Sequence, residues 1–229
     1  MKAMILAAGR GERMRPLTDH LPKPLLSVAG KPLIVYHLEK LSLLGVTDVV
    51  INVAYLGEKI KQSLGDGHRW GVSIHYSEES YPLETGGALH QALDLLEDEP
   101  FLLINGDVWC DIDFGVIKKC DMRQRVGHLF MVVNPSHNPL GDFCLNKSCV
   151  MGLQQGEPSY TFAGIALIDP KMIRQYPHRR EAFALKEVFV YFLEQGLLAG
   201  SLYDGFWCDV GTPERLQQLG DHLSRTHKM

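Results

Sequence analysis

The sequence predicts an α/β fold, a doubly wound, mostly parallel, Rossmann-like sheet flanked by helices, with a smaller β-rich elaboration in its second half. Three observations carry that expectation. Short runs rich in Val, Ile and Leu alternate with amphipathic stretches through the first half, the pattern of parallel strands joined by right-handed helical crossovers. Some runs are apolar at every position, as in Phe101-Leu102-Leu103-Ile104, which suits strands buried on both faces. Gly9 and Gly11 follow the first run at once, and open sheets of this kind bind ligands at the carboxyl ends of their strands.

The elements follow in order. Lys2–Ala8, Asp48–Ala54, Val72–Tyr76 and Phe101–Asn105 read as strands. Leu33–Leu44 has apolar residues at helical spacing and stops at Gly45, a residue suited to the left-handed turn after a helix. Leu56–Leu64 and Gly86–Leu96 supply two further helices. In the second half His128–Asn134, Asp142–Leu145, Val150–Leu153 and Thr161–Ile168 read as strands between Pro and Gly turns. Helices are expected at Pro170–Tyr176, Ala184–Gln195 and Thr212–Arg225, and one strand from Ser201 into Val210. Gly9, Asn52, Asn105 and Asp107 would meet at the strand ends. No repeat, low-complexity stretch or linker interrupts the 229 residues, so one domain is expected, divided at about residue 108, with a solvated tail holding His222 and His227.

Composition narrows the function. Apolar residues make up 45% and charged residues 22%, which disfavours a disordered or fibrous chain. The net charge of −4, with no basic block, argues against nucleic acid or an anionic membrane as partner. Five cysteines without a CxxC pair suit neither a disulfide framework nor a zinc site, and free thiols point to the cytoplasm. No apolar run approaches the ~20 residues that span a bilayer.

The segment Leu6-Ala7-Ala8-Gly9-Arg10-Gly11-Glu12-Arg13 has the make-up of a phosphate loop. Its glycines let backbone N–H groups approach an anion, and its arginines add charged donors. It is not a Walker loop, because Glu12-Arg13 stands where Lys-Ser or Lys-Thr is needed. Nor is it a dinucleotide fingerprint: Met14 takes the place of the third Gly, Pro16 interrupts a helix, and no acid follows the second strand.

Five blocks in fixed order then carry a resemblance. They are Leu6–Thr18, Pro22-Lys23-Pro24-Leu25 through Gly30-Lys31-Pro32-Leu33-Ile34, Pro82-Leu83-Glu84-Thr85-Gly86-Gly87-Ala88-Leu89, Asn105-Gly106-Asp107, and Trp207-Cys208-Asp209-Val210-Gly211-Thr212-Pro213-Glu214-Arg215-Leu216. Together they resemble the sugar-1-phosphate nucleotidyltransferases over nearly the whole chain. The resemblance implies a fold of the nucleotide-diphospho-sugar transferase type, a nucleotide-binding half at about 1–108 and a sugar-binding half at about 109–229. It implies no appended left-handed β-helix.

It also implies Mg²⁺-dependent transfer of a nucleotidyl group from a nucleoside triphosphate, UTP favoured, to a sugar 1-phosphate. By analogy Arg13 and Lys23 are the catalytic cations, with Arg10, Arg15 and Lys31 left open. Leu6, Ala8, Gly9, Gly11, Glu79, Thr85, Gly86 and Asn105 join them in holding the nucleotide. Glu79 stands where the thymidylyl members carry a base-reading glutamine. A carboxylate there accepts one N–H from uracil or two from guanine. The sugar is expected at Asn105, Gly141, Asp142, Phe162 and Gly164, without the usual Glu-Lys-Pro segment, which reads Leu153-Gln154-Gln155-Gly156-Glu157-Pro158 here. Asp107 and Asp209 are the expected metal ligands, since Mg²⁺ is held by one or two carboxylates plus phosphate oxygens. Lys186 reads as a helix-surface lysine with reach toward an acidic substrate group. Glu84-Thr85-Gly86-Gly87, Asn105–Trp109 and Gly141-Asp142-Phe143 look most like the uridylyltransferases of cell-wall recycling, the mannose-1-phosphate guanylyltransferases being the nearest rival and the glucose-1-phosphate uridylyl- or thymidylyltransferases a further alternative. A non-catalytic nucleotide-sugar-binding regulator is the alternative of a different class.

Overall fold

The computed structural model describes residues 1–226, so His227 of the expected tail lies outside the described residues. Among the described residues thirteen strands run in chain order: β1 (Ala3–Leu6), β2 (Ser27–Val28), β3 (Lys31–Pro32), β4 (Asp48–Val53), β5 (Ser73–Glu78), β6 (Phe101–Asn105), β7 (Val108–Cys110), β8 (Gly127–Val132), β9 (Phe143–Asn146), β10 (Cys149–Met151), β11 (Ser159–Ile168), β12 (Leu198–Leu202) and β13 (Trp207–Asp209). The α-helices are α1 (Leu33–Leu43), α2 (Gly57–Leu64), α3 (Glu84–Leu96), α4 (Pro170–Gln175), α5 (Leu185–Leu193) and α6 (Pro213–Thr226).

Nine strands form one sheet in the order β5-β4-β1-β6-β11-β8-β12-β10-β9. The first four are parallel to one another, as the alternating pattern predicts. β11 is antiparallel to both β6 and β8, and β12 returns to a parallel pairing with β8. β10 and β9 close the far edge as an antiparallel pair, and β9 also pairs with β11.

The pleat sorts side chains to two apolar layers. Ala3 and Ile5 of β1 pack with Ile34, Leu38 and Leu41 of α1 and Ile60 and Leu64 of α2. Met4, between them in sequence, points the other way, to Leu89 and Leu96 of α3, Ile173 of α4 and Phe189 of α5. A third cluster joins Met14, Trp109, Cys208 and Val210 to Leu219 and Leu223 of α6. The burial of both faces explains why these strands carry so few polar residues.

One expected strand is corrected. Ser201 to Val210 is not a single strand but the end of β12 and the separate β13. The ladder stops where the Tyr203 N–H bonds to the Met131 carbonyl at 2.7 Å. After Gly205 the chain pairs instead with β7, placing Asp209 opposite Val108. That turn carries Asp209 from the main sheet to the strand beside Asp107. The hairpin β2–β3 went unforeseen, and α3 begins at Glu84, two residues before the expected Gly86.

Candidate active site

A cavity of about 610 Å³ opens at the carboxyl ends of β1, β4 and β6. The glycine loop forms one wall, with Leu6, Ala8, Gly9 and Gly11, and Glu79 and Thr85 stand in another. Asn105, Asp107 and Lys23 complete the set of expected residues that line it. Arg10, left open on sequence grounds, lines it as well, as do Ala7, Asn52, Tyr55 and Tyr81.

Local folding explains the loop. Gly11 has φ +63° before the short helical turn Glu12–Met14, and Thr18 Oγ1 donates to its carbonyl at 2.8 Å. A Cβ there would lie 3.0 Å from Thr18 Cγ2, so both the left-handed backbone and the close approach demand glycine. Asn52 secures the first strand's end: its Oδ1 accepts from the Ala7 N–H at 2.8 Å, and its Nδ2 donates to Glu79 Oε1 at 2.6 Å. Glu79 Oε2 accepts from the Leu83 N–H at 3.3 Å. The Glu79 carboxylate is thus held before any ligand arrives.

The charged residues form two linked groups. Lys23 follows Pro22 in a short helical turn, is nearly buried, and bonds Asp107 Oδ2 at 2.5 Å. Asp209 Oδ1 pairs with Arg215 Nη1 and lies 3.1 Å from His137 Nε2, which is itself 2.8 Å from Arg215. The Val210 N–H bonds the Asp107 carbonyl at 2.7 Å, so the turn before β7 that holds Asp107 is tied to the end of β13 that holds Asp209. Burial first, and the Asp209 charge second, push the neighbouring Cys208 thiol up to about 11. Among the described residues, Asp107 Oδ1 and Asp209 Oδ2 carry no hydrogen bond or ion pair. This all-oxygen donor pair fits a hard divalent cation. Among the described residues no group of three or more His, Cys, Asp or Glu could hold a metal, so nucleotide oxygens or water would have to complete such a shell.

Arg13 is exposed and does not line the cavity, but its Nη2 lies 3.3 Å from where a Cβ on Gly211 would stand, with Arg215 against the same point. Gly86 also lies outside the lining. Its missing Cβ leaves room for the Phe183 ring at 2.5 Å, and its N–H bonds the Phe183 carbonyl at 2.8 Å. The close approach permitted by this glycine is thus to α5's leading segment, where sequence reasoning expected a nucleoside.

The expected sugar residues group beside the cavity. Gly164 has φ +73° at the register shift in β11, and a Cβ on it would lie 2.8 Å from Asn105 Nδ2. Asp142 Oδ2 accepts from the Phe162 N–H at 3.0 Å and Oδ1 from Lys186 Nζ at 3.2 Å. Gly141, φ +65°, packs against Asn134. Sequence reasoning gave no role to Arg215, although it stands in the last matched block, or to His137; their meeting with Asp209 depends on the β13 turn.

The family model described as nucleotidyl transferase matches residues 2–141. The chain belongs to that family. The sugar-1-phosphate nucleotidyltransferases supply its similar relatives. It is 48% identical, over 95% of its own length and 96% of the relative's, to an N-acetylmuramate alpha-1-phosphate uridylyltransferase of Neisseria meningitidis serogroup B. It is 34% identical to the mannose-1-phosphate guanylyltransferase catalytic subunit beta of Danio rerio, covering 93% of this chain but 62% of that one. In fold this nucleotidyltransferase resembles a putative glucose-1-phosphate thymidylyltransferase from Bacillus anthracis, solved with a sucrose, at TM-score 0.86 and 23% identity over 97% of this chain and 94% of that one. It also resembles HddC from Yersinia pseudotuberculosis complexed with GMP-PN, at TM-score 0.79 and 23% identity over 97% and 99% of the two chains. The nucleotidyltransferase is therefore an α/β enzyme of the nucleotide-diphospho-sugar transferase type. No described helix is long and apolar enough to cross a membrane.

Proposed function

We propose that the enzyme transfers the uridylyl group of UTP to N-acetyl-α-muramate 1-phosphate, forming UDP-N-acetylmuramate and pyrophosphate in peptidoglycan recycling. The observation that carries this reading is the 48% identity to a uridylyltransferase for that sugar, spread over almost the full length of both chains. The cavity supports it: a glycine loop and a buried lysine face a wall holding one fixed carboxylate. Residues 1–108 would bind the nucleotide and residues 109–229 the sugar.

In the reaction a phosphate oxygen of the sugar attacks the α-phosphorus of UTP. A new P–O bond forms as the bond to the β-phosphate oxygen breaks. Both reactants are anions, so the site must bring them together and neutralise them. Arg13 and Lys23 are assigned to the triphosphate and the transferred phosphate, Lys23 being steadied by Asp107. Leu6, Ala8, Gly9, Gly11, Thr85 and Asn105 shape the nucleotide wall, and Glu79 accepts the imide N–H of uracil. Asp107 and Asp209 would hold Mg²⁺, which when bound supplies charge neutralisation at the phosphate oxygens. Free thiols at all five cysteines suit a cytoplasmic enzyme.

The test is pyrophosphate release with Mg²⁺, crossing UTP, GTP, dTTP, ATP and CTP against the 1-phosphates of N-acetylmuramate, N-acetylglucosamine, glucose and mannose. UTP with the muramate substrate is the expected preference. GTP with mannose 1-phosphate would overturn it in favour of the reading that the Danio rerio relative suggests. Silence across the grid would leave a non-catalytic binder.

A further inference from the structure

N-acetylmuramate differs from N-acetylglucosamine by a lactyl ether that ends in a carboxylate. An enzyme that selects it needs a cation at the sugar end of its site, besides those that meet phosphate. The cations around this cavity are largely committed. Lys23 is paired with Asp107 and Arg215 with Asp209, and Arg10 and Arg13 belong to the phosphate loop. On the β-rich side Arg180 is held in a two-point pair by Glu187.

Lys186 is differently placed. It lies in the first turn of α5, and that turn is stitched to the cavity: the Leu185 N–H bonds Thr85 Oγ1 at 3.0 Å, and Thr85 lines the wall. Lys186 Nζ donates to Asp142 Oδ1 at 3.2 Å and stands 5.8 Å from the centre of the Phe143 ring. The partner's other oxygen is fixed by the Phe162 N–H and by Asn138 Nδ2 at 3.3 Å, so Asp142 holds the ammonium in place. Phe162 lies two residues before Gly164, which packs on the cavity residue Asn105. The lysine side chain is still 60% exposed, and an ammonium has three hydrogens to give.

We propose that Lys186 is the specificity-determining cation for the lactyl carboxylate, aimed by Asp142 from the far side. This rests on the uridylyltransferase reading above and names the residue that selects its sugar. A hexose 1-phosphate whose ring carries no carboxylate gains nothing from this cation. The carboxylated sugar gains a charge-assisted hydrogen bond.

The test compares N-acetylmuramate 1-phosphate with its carboxyl methyl ester, which keeps the shape and removes the charge, in wild-type enzyme and Lys186→Met. Wild type should favour the acid over the ester by roughly tenfold in kcat/KM, mainly through KM, as expected of one charged hydrogen bond. Lys186→Met should treat the two alike, Lys186→Arg should restore most of the preference, and the KM for UTP should stay constant. Equal losses on acid and ester, or an unchanged preference, would overturn the proposal. Failure of the underlying reading looks different, because wild-type enzyme would then not turn over the muramate substrate at all.

Discussion

Gly164→Ala tests whether the bulge in β11 is needed to seat Asn105 against the cavity. The new methyl would stand 2.8 Å from Asn105 Nδ2, 2.9 Å from Val108 Cγ2 and 3.0 Å from Asn105 Cβ. Retreat is blocked on both sides. Ile165 is in register with Ile104 on the neighbouring strand, and the Ala163 carbonyl is held by Trp207 Nε1 at 2.9 Å. Two costs add. The left-handed φ of +73° costs a side-chain-bearing residue roughly 1–2 kcal/mol, and overpacking costs typically about 1–3 kcal/mol. The expected loss is about 2–5 kcal/mol, a large part of a typical domain's stability. Urea unfolding should show a lower midpoint at unchanged slope, and Tm should fall by roughly 2–4 °C per kcal/mol. Gly152→Ala is the control: its nearest neighbour is Leu193 Cδ1 at 3.9 Å, its φ lies outside the left-handed range, and it should be neutral or slightly stabilising. A Gly164→Ala protein within about 0.5 kcal/mol of wild type would refute the reasoning, since the known spread of surface substitutions covers that much.

Other substitutions probe the rest of the site. Asp107→Asn removes the partner of Lys23 and one proposed metal ligand, so turnover should fall at least about a hundredfold while circular dichroism stays unchanged; near-normal Mg²⁺-dependent pyrophosphate release would remove the assignment. Gly86→Ala should destabilise by about 1–3 kcal/mol because its Cβ meets both the Phe183 ring and the Phe183 carbonyl. Gly86→Ala together with Phe183→Leu should recover part of that loss in the same unfolding assay if the ring is the obstacle. His37 is buried, and that burial first, with the Lys40 charge second, pushes its pKa down from 6.5 to about 4. The unfolded chain therefore takes up the proton first, and stability should decline as pH falls from about 6.5 toward 4, by roughly 3 kcal/mol in all. His37→Leu should flatten that part of the stability profile, and an unaltered slope would show that other groups cause it.

What could be read from sequence and what could not divide along the range of the interactions. Phe101–Asn105 was legible because a buried parallel strand writes its environment as an unbroken apolar run. Gly11 and Lys23 were legible because the blocks around them are contiguous in the chain. The stretch from Ser201 to Val210 misled because the Asp204-Gly205 turn signal was read through as strand; where the chain goes after that turn depends on the pairing of Trp207–Asp209 with Val108–Cys110, nearly a hundred residues away. Gly86 misled for a related reason. A glycine announces a close approach but not what approaches, and Phe183 is invisible from residue 86.

The same turn that defeated the strand assignment is what assembles the charged site. Had the chain continued along β12, Asp209 would extend from a strand three places away from β6 in the sheet. Leaving at Tyr203 and pairing with β7 sets Asp209 opposite Val108, beside the turn that holds Asp107, and brings Arg215 and His137 onto the Asp209 carboxylate. Each aspartate meets a resident cation on one oxygen and leaves the other uncommitted. Such pairing keeps two carboxylates close together without the like-charge cost of bare neighbours, while retaining one acceptor on each for an incoming charge. On this argument Arg215→Met should weaken the site by freeing Asp209 to move and to repel Asp107. KM for the nucleotide should rise in that variant, and the rise should shrink as ionic strength screens the repulsion. A salt-independent KM would mean that Arg215 merely anchors α6.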